Sequence, residues 1–334
     1  IQSSNLCVAP ETTVLTDEGH IPIVNLADQI VNVWNGKEFS ETTVHQTGSN
    51  QKIIRVNTNE GGDIECTPYH KFHVMNGYSK TVVKEAQDLK SGDKLIRSEY
   101  PVIDGDLDMD MPYENGFFSG DGCYFRGKSI VYLYHDKKSL EQYMNLNGPR
   151  TENEERVTFS NVMGLDNKFF VPKENYTLDT KLAWLAGYLD ADGTVCRNGN
   201  SETIQIASVD YEFISNVRLL LQTMGIDSKV TLNKSSRYSY MPDGRGGEKE
   251  YECQTIHRLL IATKGVQDLF DLGVPVKRLA IKKQSPNRVA TRFLTIESVV
   301  DEGRFDDTYC FNEPNRHLGM FNGILTGQCS EIAL

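Results

Sequence analysis

Two nine-residue segments restrict this chain more than anything else in it: ENGFFSGDG at 114–122 and LAGYLDADG at 185–193. Gly116 and Gly120 are four apart, as are Gly187 and Ala191. Residues four apart stack on one helix face, so each segment carries a smooth stripe that lets a second helix backbone approach closely. Asp121 and Asp192 close the two helices, and Gly122 and Gly193 stop them. Two such helices side by side bring the carboxylates together, which is costly unless the pair binds a divalent cation. Asp121 and Asp192 are therefore candidate catalytic residues and metal ligands. The plain alternative is a helix pair that ends in two Asp-Gly turns.

The pattern around this pair changes twice. Residues 7–98 read as short strands (VLT at 14–16, IPIV at 21–24, VNVW at 31–34, KIIRVNT at 52–58, FHV at 72–74) punctuated by Gly36, Gly48, Gly61-Gly62 and Gly92-Asp93. Residues 99–114 are acidic, carry Pro101 and Pro112, and read as a linker. Residues 115–284 alternate helical periodicity (SLEQYMNL at 139–146, FISNVRLLLQTM at 213–224) with strand signals (IVYLY at 130–134, TIQIAS at 203–208). From SPNR at 285–288 the strands return, as RFLTIESVV at 292–300 and TYCFN at 308–312. The expected architecture is a β unit of residues 7–98 and 285–328 split by an inserted α+β unit.

Composition sets outer limits. The net charge of -11 gives no general reason to expect nucleic acid, yet residues 228–292 hold 13 Lys and Arg against 6 Asp and Glu. Basic residues on strands facing a duplex would neutralise phosphates; a solvated basic face would look the same. The seven cysteines form no CxxC pair, which argues against zinc and for a reducing, intracellular, cytoplasmic setting. No apolar run approaches the ~20 residues of a membrane span.

Four blocks in order then carry a resemblance: CVAPETTVLT from Cys7, CTPYH at 66–70, LKSGDKL at 89–95, and TYCFNEPNRHLGMFNGILTGQ at 308–328, directly followed by Cys329. Singly, a Thr-x-x-His is a turn, a buried cysteine is packing, and Asn322-Gly323 is a hairpin turn. Together they resemble the inteins, whose fold is a β-rich, horseshoe-like Hint-type domain. The resemblance implies that Cys7 converts the Leu6–Cys7 amide into a thioester, because a thiolate is a strong nucleophile near neutral pH. It implies that His70 protonates the leaving amine and Thr67 hydrogen-bonds the scissile carbonyl or its oxyanion. Cys329 would take the acyl group, and the side chain of Gln328 would attack its own carbonyl to cut the branch. His317 would assist at that end, and Cys310 would occupy the proton-transfer position of the block. Splicing needs no cofactor. Two departures stand out: the family usually ends His-Asn, and here Gly327-Gln328 stands instead. Glutamine must close a six-membered glutarimide, which is expected to be slower.

Residues 1–6 and 329–334 read as host flanks. Joined, IQSSNL-CSEIAL resembles the active-site segment of the ribonucleotide reductase large subunit, with Cys329 as the radical cysteine and Asn5 and Glu331 on the substrate ribose. The twin segments resemble the LAGLIDADG homing endonucleases, the second copy nearly verbatim. That resemblance implies a monomer that cleaves double-stranded DNA at the uninterrupted host gene with Mg²⁺ held by Asp121 and Asp192. Lys277, Lys282 and Lys283 are candidates for a lysine near the scissile phosphate. The alternatives are an intein whose endonuclease has kept its fold and lost cleavage, a free-standing LAGLIDADG endonuclease with a β accessory domain, and a Hedgehog-type autoprocessing domain.

Overall fold

The computed structural model describes residues 7–77, 80–199, 201–242, 247–285 and 293–328. The β part is one 11-stranded sheet in which strands from both halves of the chain interleave. Its spine is an antiparallel pair of long strands, Phe39–Thr58 and Leu294–Phe311, paired with several register shifts from Ile296 opposite Thr58 to Phe311 opposite Val44. RFLTIESVV and TYCFN, read as separate strands, are thus parts of a single strand, because register shifts between Val300 and Arg304 absorb the charged DEGR stretch between them. IPIV divides: the strand Gly19–Pro22 ends at the proline, and Ile23–Leu26 turns into a 3-10 helix. The core of this part draws on both halves, with Val8, Val14, Val44, Ile64 and Phe72 packed against Ile296, Phe311 and Phe321.

The inserted part is built on two helices, α1 (Pro112–Asp121) and α2 (Leu178–Asp192). Their backbones nearly touch: a Cβ at Gly116 would stand 1.8 Å from the Trp184 carbonyl oxygen, and one at Gly187 would stand 1.9 Å from that of Tyr113. Helix α1 starts inside the stretch read as linker, since Pro112 needs no N–H partner in the first turn. That stretch is also anchored: Ile103 is buried, its N–H donates to Thr223 O at 2.8 Å, and its carbonyl accepts from Lys181 Nζ at 2.8 Å. Each of these two helices leads into a strand of a four-stranded antiparallel sheet. The sheet after α2 is backed by α3 (Tyr211–Gln222) and α4 (Thr263–Asp271). SLEQYMNL begins within a 3-10 helix, His135–Tyr143, with Leu140 buried. Among the described residues no helix is long and apolar enough to cross a membrane.

The two parts are bolted together. Arg218 and Gln222 of α3 donate to the carbonyls of Asn322 and Gly323, at 3.2 and 3.5 Å. The Val230 N–H donates to Glu60 O at 2.7 Å, and the Gly62 N–H to the Tyr211 hydroxyl at 3.3 Å. These are two units by topology, with a shared polar interface.

Candidate active sites

The first site assembles around the two ends of the β part. Val8 bridges Tyr309 and Cys66 at once, which fixes the chain next to Cys7 between strands from opposite halves. Cys7 is fully buried. Its N–H donates to Thr67 Oγ1 at 3.3 Å, and its carbonyl accepts the Thr67 N–H at 2.9 Å. The turn at Thr67–His70 is closed by the His70 N–H donating to the Thr67 carbonyl at 3.0 Å, which brings His70 alongside. His70 has no exposed surface and lies edge-on to Phe72 and Phe321. Its Nε2 sits 2.9 Å from Thr326 Oγ1, and that hydroxyl reaches its neighbour's carbonyl, Gly327 O, at 3.2 Å. If the threonine proton goes to that carbonyl, Nε2 carries the imidazole proton and Nδ1 is a bare acceptor. Nδ1 is buried and has no hydrogen-bond partner among the described residues. Burial pushes the His70 pKa down to about 3, so the ring is neutral at pH 7.

At the other end, Gln328 is buried, and its Nε2 faces three acceptors, Asn312 Oδ1, Glu313 O and His317 Nδ1, each at 3.3 Å. His317 therefore lies against the side-chain nitrogen of Gln328. The Gln328 N–H donates to the His317 carbonyl at 3.3 Å, which pins the two together. His317 takes a left-handed backbone, φ 55°, at the end of a turn held by the buried Glu313 carboxylate. That carboxylate accepts from Asn35 Nδ2, the Arg316 N–H and the Asn315 N–H. Burial alone would raise the Glu313 pKa; these donors outweigh it and hold the carboxyl below its ordinary value. Gly327 also finds a reason: a Cβ there would meet the Lys71 Cβ and carbonyl oxygen at 3.0 Å, leaving little room for a histidine. Cys310 is buried on the strand beside Cys7, opposite His45. Leu6, Cys329, Asn5 and Glu331 lie outside the described residues.

The second site is the pair of helix ends. Burial raises the pKa of both Asp121 and Asp192, and for Asp192 the charge of Asp121 adds to it. Asp121 ion-pairs with Lys137. Lys168 Nζ donates to Gly120 O at 3.3 Å and also to Gly122 O. Arg278 Nη2 donates to Gly193 O at 2.8 Å. Asp190, fully buried, accepts the Tyr113 hydroxyl at 2.7 Å and the backbone N–H groups of Lys277, Arg278 and Leu279, so it holds the chain rather than facing a ligand. Of the three lysines singled out, Lys277 puts its ammonium over the Tyr143 ring, 5.4 Å from the centroid, and the groups at the acidic pair are Lys137 and Lys168. The sheet after α2 turns Lys229, Thr231, Gln205 and Arg258 away from its core, with Lys229 in line with Leu260 and Gln205 across three strands.

Thr326, Glu313, Asn312, Lys137 and Lys168 were not legible in the sequence. Thr326 had a weak signal in its place two residues before the Gln328 junction. The others reach their sites through turns and cross-chain contacts that no local pattern encodes.

Residues 179–271 match the family model of a LAGLIDADG-like domain. The ribonucleoside-diphosphate reductase large subunit of Invertebrate iridescent virus 6 is 42% identical over 352 residues, an alignment that covers 100% of this chain and 37% of that protein. The ribonucleoside-diphosphate reductase NrdEB subunit alpha of Bacillus subtilis is 26% identical over 396 residues, covering 99% of this chain and 36% of that protein. The chain thus spans a little over a third of the length of these curated relatives. Among solved structures, a Ssp DnaB mini-intein variant superposes with a TM-score of 0.35 at 8% identity, over 96% of this chain and 98% of that one.

Proposed function

We infer that this chain, an intein with an inserted LAGLIDADG domain in a ribonucleotide reductase large-subunit sequence, excises residues 7–328 and joins residues 1–6 to 329–334. The observation that carries this reading is the meeting of both chain ends at one buried, neutral histidine. Cys7 reaches it through Thr67, and the Gln328 strand reaches it through Thr326.

The chemistry follows from that arrangement. A neutral His70 with a bare Nδ1 cannot begin as an acid; it takes the thiol proton of Cys7 only as the sulfur attacks, because so weakly basic a ring cannot hold that proton beforehand. The sulfur attacks the Leu6 carbonyl, and Thr67 steadies the oxyanion. As the C–N bond breaks, His70 returns the proton to the Cys7 amine, so the step is a net isomerisation. Cys329 then takes the acyl group by thioester exchange, with Cys310 in the proton-transfer position. At Gln328 the three acceptors around Nε2 draw its hydrogens away from the attacking lone pair. His317 receives the proton as Nε2 closes on its own carbonyl and hands it to the Cys329 amine as that C–N bond breaks. The freed amine recaptures the thioester as an amide. Cys329 would then serve the reductase as its radical cysteine, so that the host acts only after the insert has left.

The inserted domain is read as a site-specific endonuclease acting as a monomer on double-stranded DNA at the uninterrupted host gene. The two carboxylates, each destabilised by burial and Asp192 further by the charge of Asp121, fit a divalent cation. Among the described residues no cluster of three or more such ligands occurs. The two carboxylates suit Mg²⁺, which is held by one or two such groups and completes its shell with water and phosphate oxygens. When bound, the cation would stabilise charge on the attacking and leaving oxygens. Asp121 and Asp192 would hold it, with Lys137 and Lys168 beside these carboxylates, and Lys229 and Arg258 would offer phosphate contacts. One observation favours the second reading, a retained fold without cleavage: Lys137 already occupies Asp121.

The splicing half is tested with thiol. Added thiol releases residues 1–6 from the parent chain, and Cys7→Ala abolishes the release; release from the Cys7→Ala chain contradicts the mechanism.

A further inference from the structure

The strand Phe39–Thr58 carries a bulge beside Cys7. Gly48 pairs with Thr308 and Gln46 with Tyr309, so Thr47 is the extra residue between them. A bulge re-aims the side chain it carries, and here it points Thr47 at the sulfur. Its Oγ1 lies 2.7 Å from Cys7 Sγ and 3.1 Å from the Thr308 carbonyl oxygen.

We propose that Thr47 is a catalytic residue of the first splicing step, the hydroxyl that stabilises the Cys7 thiolate as it forms. The proposal rests on the splicing reading. The hydroxyl has one proton, and the Cys7 sulfur and the Thr308 carbonyl are both within its reach. With Cys7 as the thiol, S–H donates to Thr47 Oγ1 and Thr47 donates to Thr308 O. When the S–H proton leaves for His70, the Thr47 proton turns to the sulfur without any heavy atom moving. Such a donor costs no reorganisation at the moment of reaction. The Sγ–C bond to Leu6 forms, the C–N bond breaks, and the Cys7 nitrogen gains the proton that the sulfur lost; Thr47 ends with the proton it started with.

The surroundings favour a donor. Cys7 is fully buried, and burial disfavours the charged sulfur. The titratable groups nearest this contact on the flanking strands are His45, Glu65, Cys66, Asp306, Asp307, Tyr309 and Cys310, with His70 on the turn after Thr67. None of these is a fixed cation, and Glu65 is an acid paired with Arg55 and Arg304 on its outer side.

The test is the pH–rate profile of thiol-induced release of residues 1–6. Thr47→Val keeps the shape and β-branching while removing the hydroxyl. It is expected to slow release roughly 10-fold or more near pH 7, the usual worth of a hydrogen bond to a charged group. The deficit should shrink as pH rises and the thiolate forms without help, and Thr47→Ser should restore the parent profile. An unchanged profile in Thr47→Val, or one lowered equally at all pH values, overturns the proposal. If Thr47→Val does not fold, the Thr47→Ala and Thr47→Ser pair decides on the same criterion. Release that persists in Cys7→Ala would instead bring down the splicing reading itself, a separate result from any Thr47 outcome.

Discussion

Gly187→Ala probes the contact on which the inserted domain is built. The added Cβ would sit 1.9 Å from Tyr113 O and 2.8 Å from Phe117 N, both backbone atoms of α1. Ordinary heavy-atom contact is about 3.5 Å, so the helices must separate by roughly 1.5 Å. No side chain can rotate aside to absorb this. Overpacking of a core costs about 1–3 kcal/mol, and a backbone-on-backbone clash belongs at the upper end. Alanine's helix propensity returns about 1 kcal/mol, leaving a net loss of about 2 kcal/mol. The assay is urea unfolding in a Cys7→Ala background, where the chain cannot react, followed by Trp184 fluorescence from the buried face of α2. Gly265→Ala in α4 is the control. There the Cβ meets Cγ2 methyls of Ile261 and Ile226 at 2.8 and 3.1 Å and the Asp227 carbonyl at 3.2 Å, all milder than a 1.9 Å clash, and a smaller loss is expected. A Gly187→Ala chain as stable as its parent, or more so, would refute the close helix contact and with it the pairing of Asp121 and Asp192.

Acid should destabilise the chain through its buried histidines. Burial lowers the His70 pKa from 6.5 to about 3, and it also lowers that of His20, helped by Lys173 and Arg218. On acidification the unfolded chain takes up these protons first, so stability present above pH 6.5 is lost as pH falls toward 3. The slope is about 1.4 kcal/mol per pH unit for each histidine, read from urea midpoints between pH 7 and 4.5. Replacing His70 by Gln should flatten it, and an unaltered slope argues against a neutral buried ring. A duplex of roughly two helical turns spanning the codons for SNL and CSE should be cut in Mg²⁺ and bound with steep salt dependence. Asp192→Ala should abolish the cut and leave thiol release intact, whereas binding without cutting by the parent would favour the reading of a retained fold.

Much of the fold was legible because hydrophobic period and glycine placement are local. The Gly116, Gly120 and Gly187 stripe announced the helix pair, and the return of strand signals after Ser285 announced a split β part. What stayed hidden is non-local. The pairing of Phe39–Thr58 with Leu294–Phe311 joins residues more than 200 apart, and together with the Val8 bridges it decides that Thr47 faces Cys7. The stretch at 99–114 looked free because it is acidic and proline-containing, yet Ile103 is held from both sides by Thr223 and Lys181. His317 was expected to assist at the Gln328 end; that its Nδ1 lies against the Gln328 side-chain nitrogen is a matter of orientation that spacing cannot carry.

The most direct test of self-excision through Gln328 is the mass of the products from a chain left to react. A dodecapeptide, IQSSNLCSEIAL, is expected together with residues 7–328 one water lighter than the free acid, the mark of a glutarimide at Gln328. Separate IQSSNL and CSEIAL peptides beside an insert that carries the full mass of the free acid from the start, with no lighter form at early times, would contradict it.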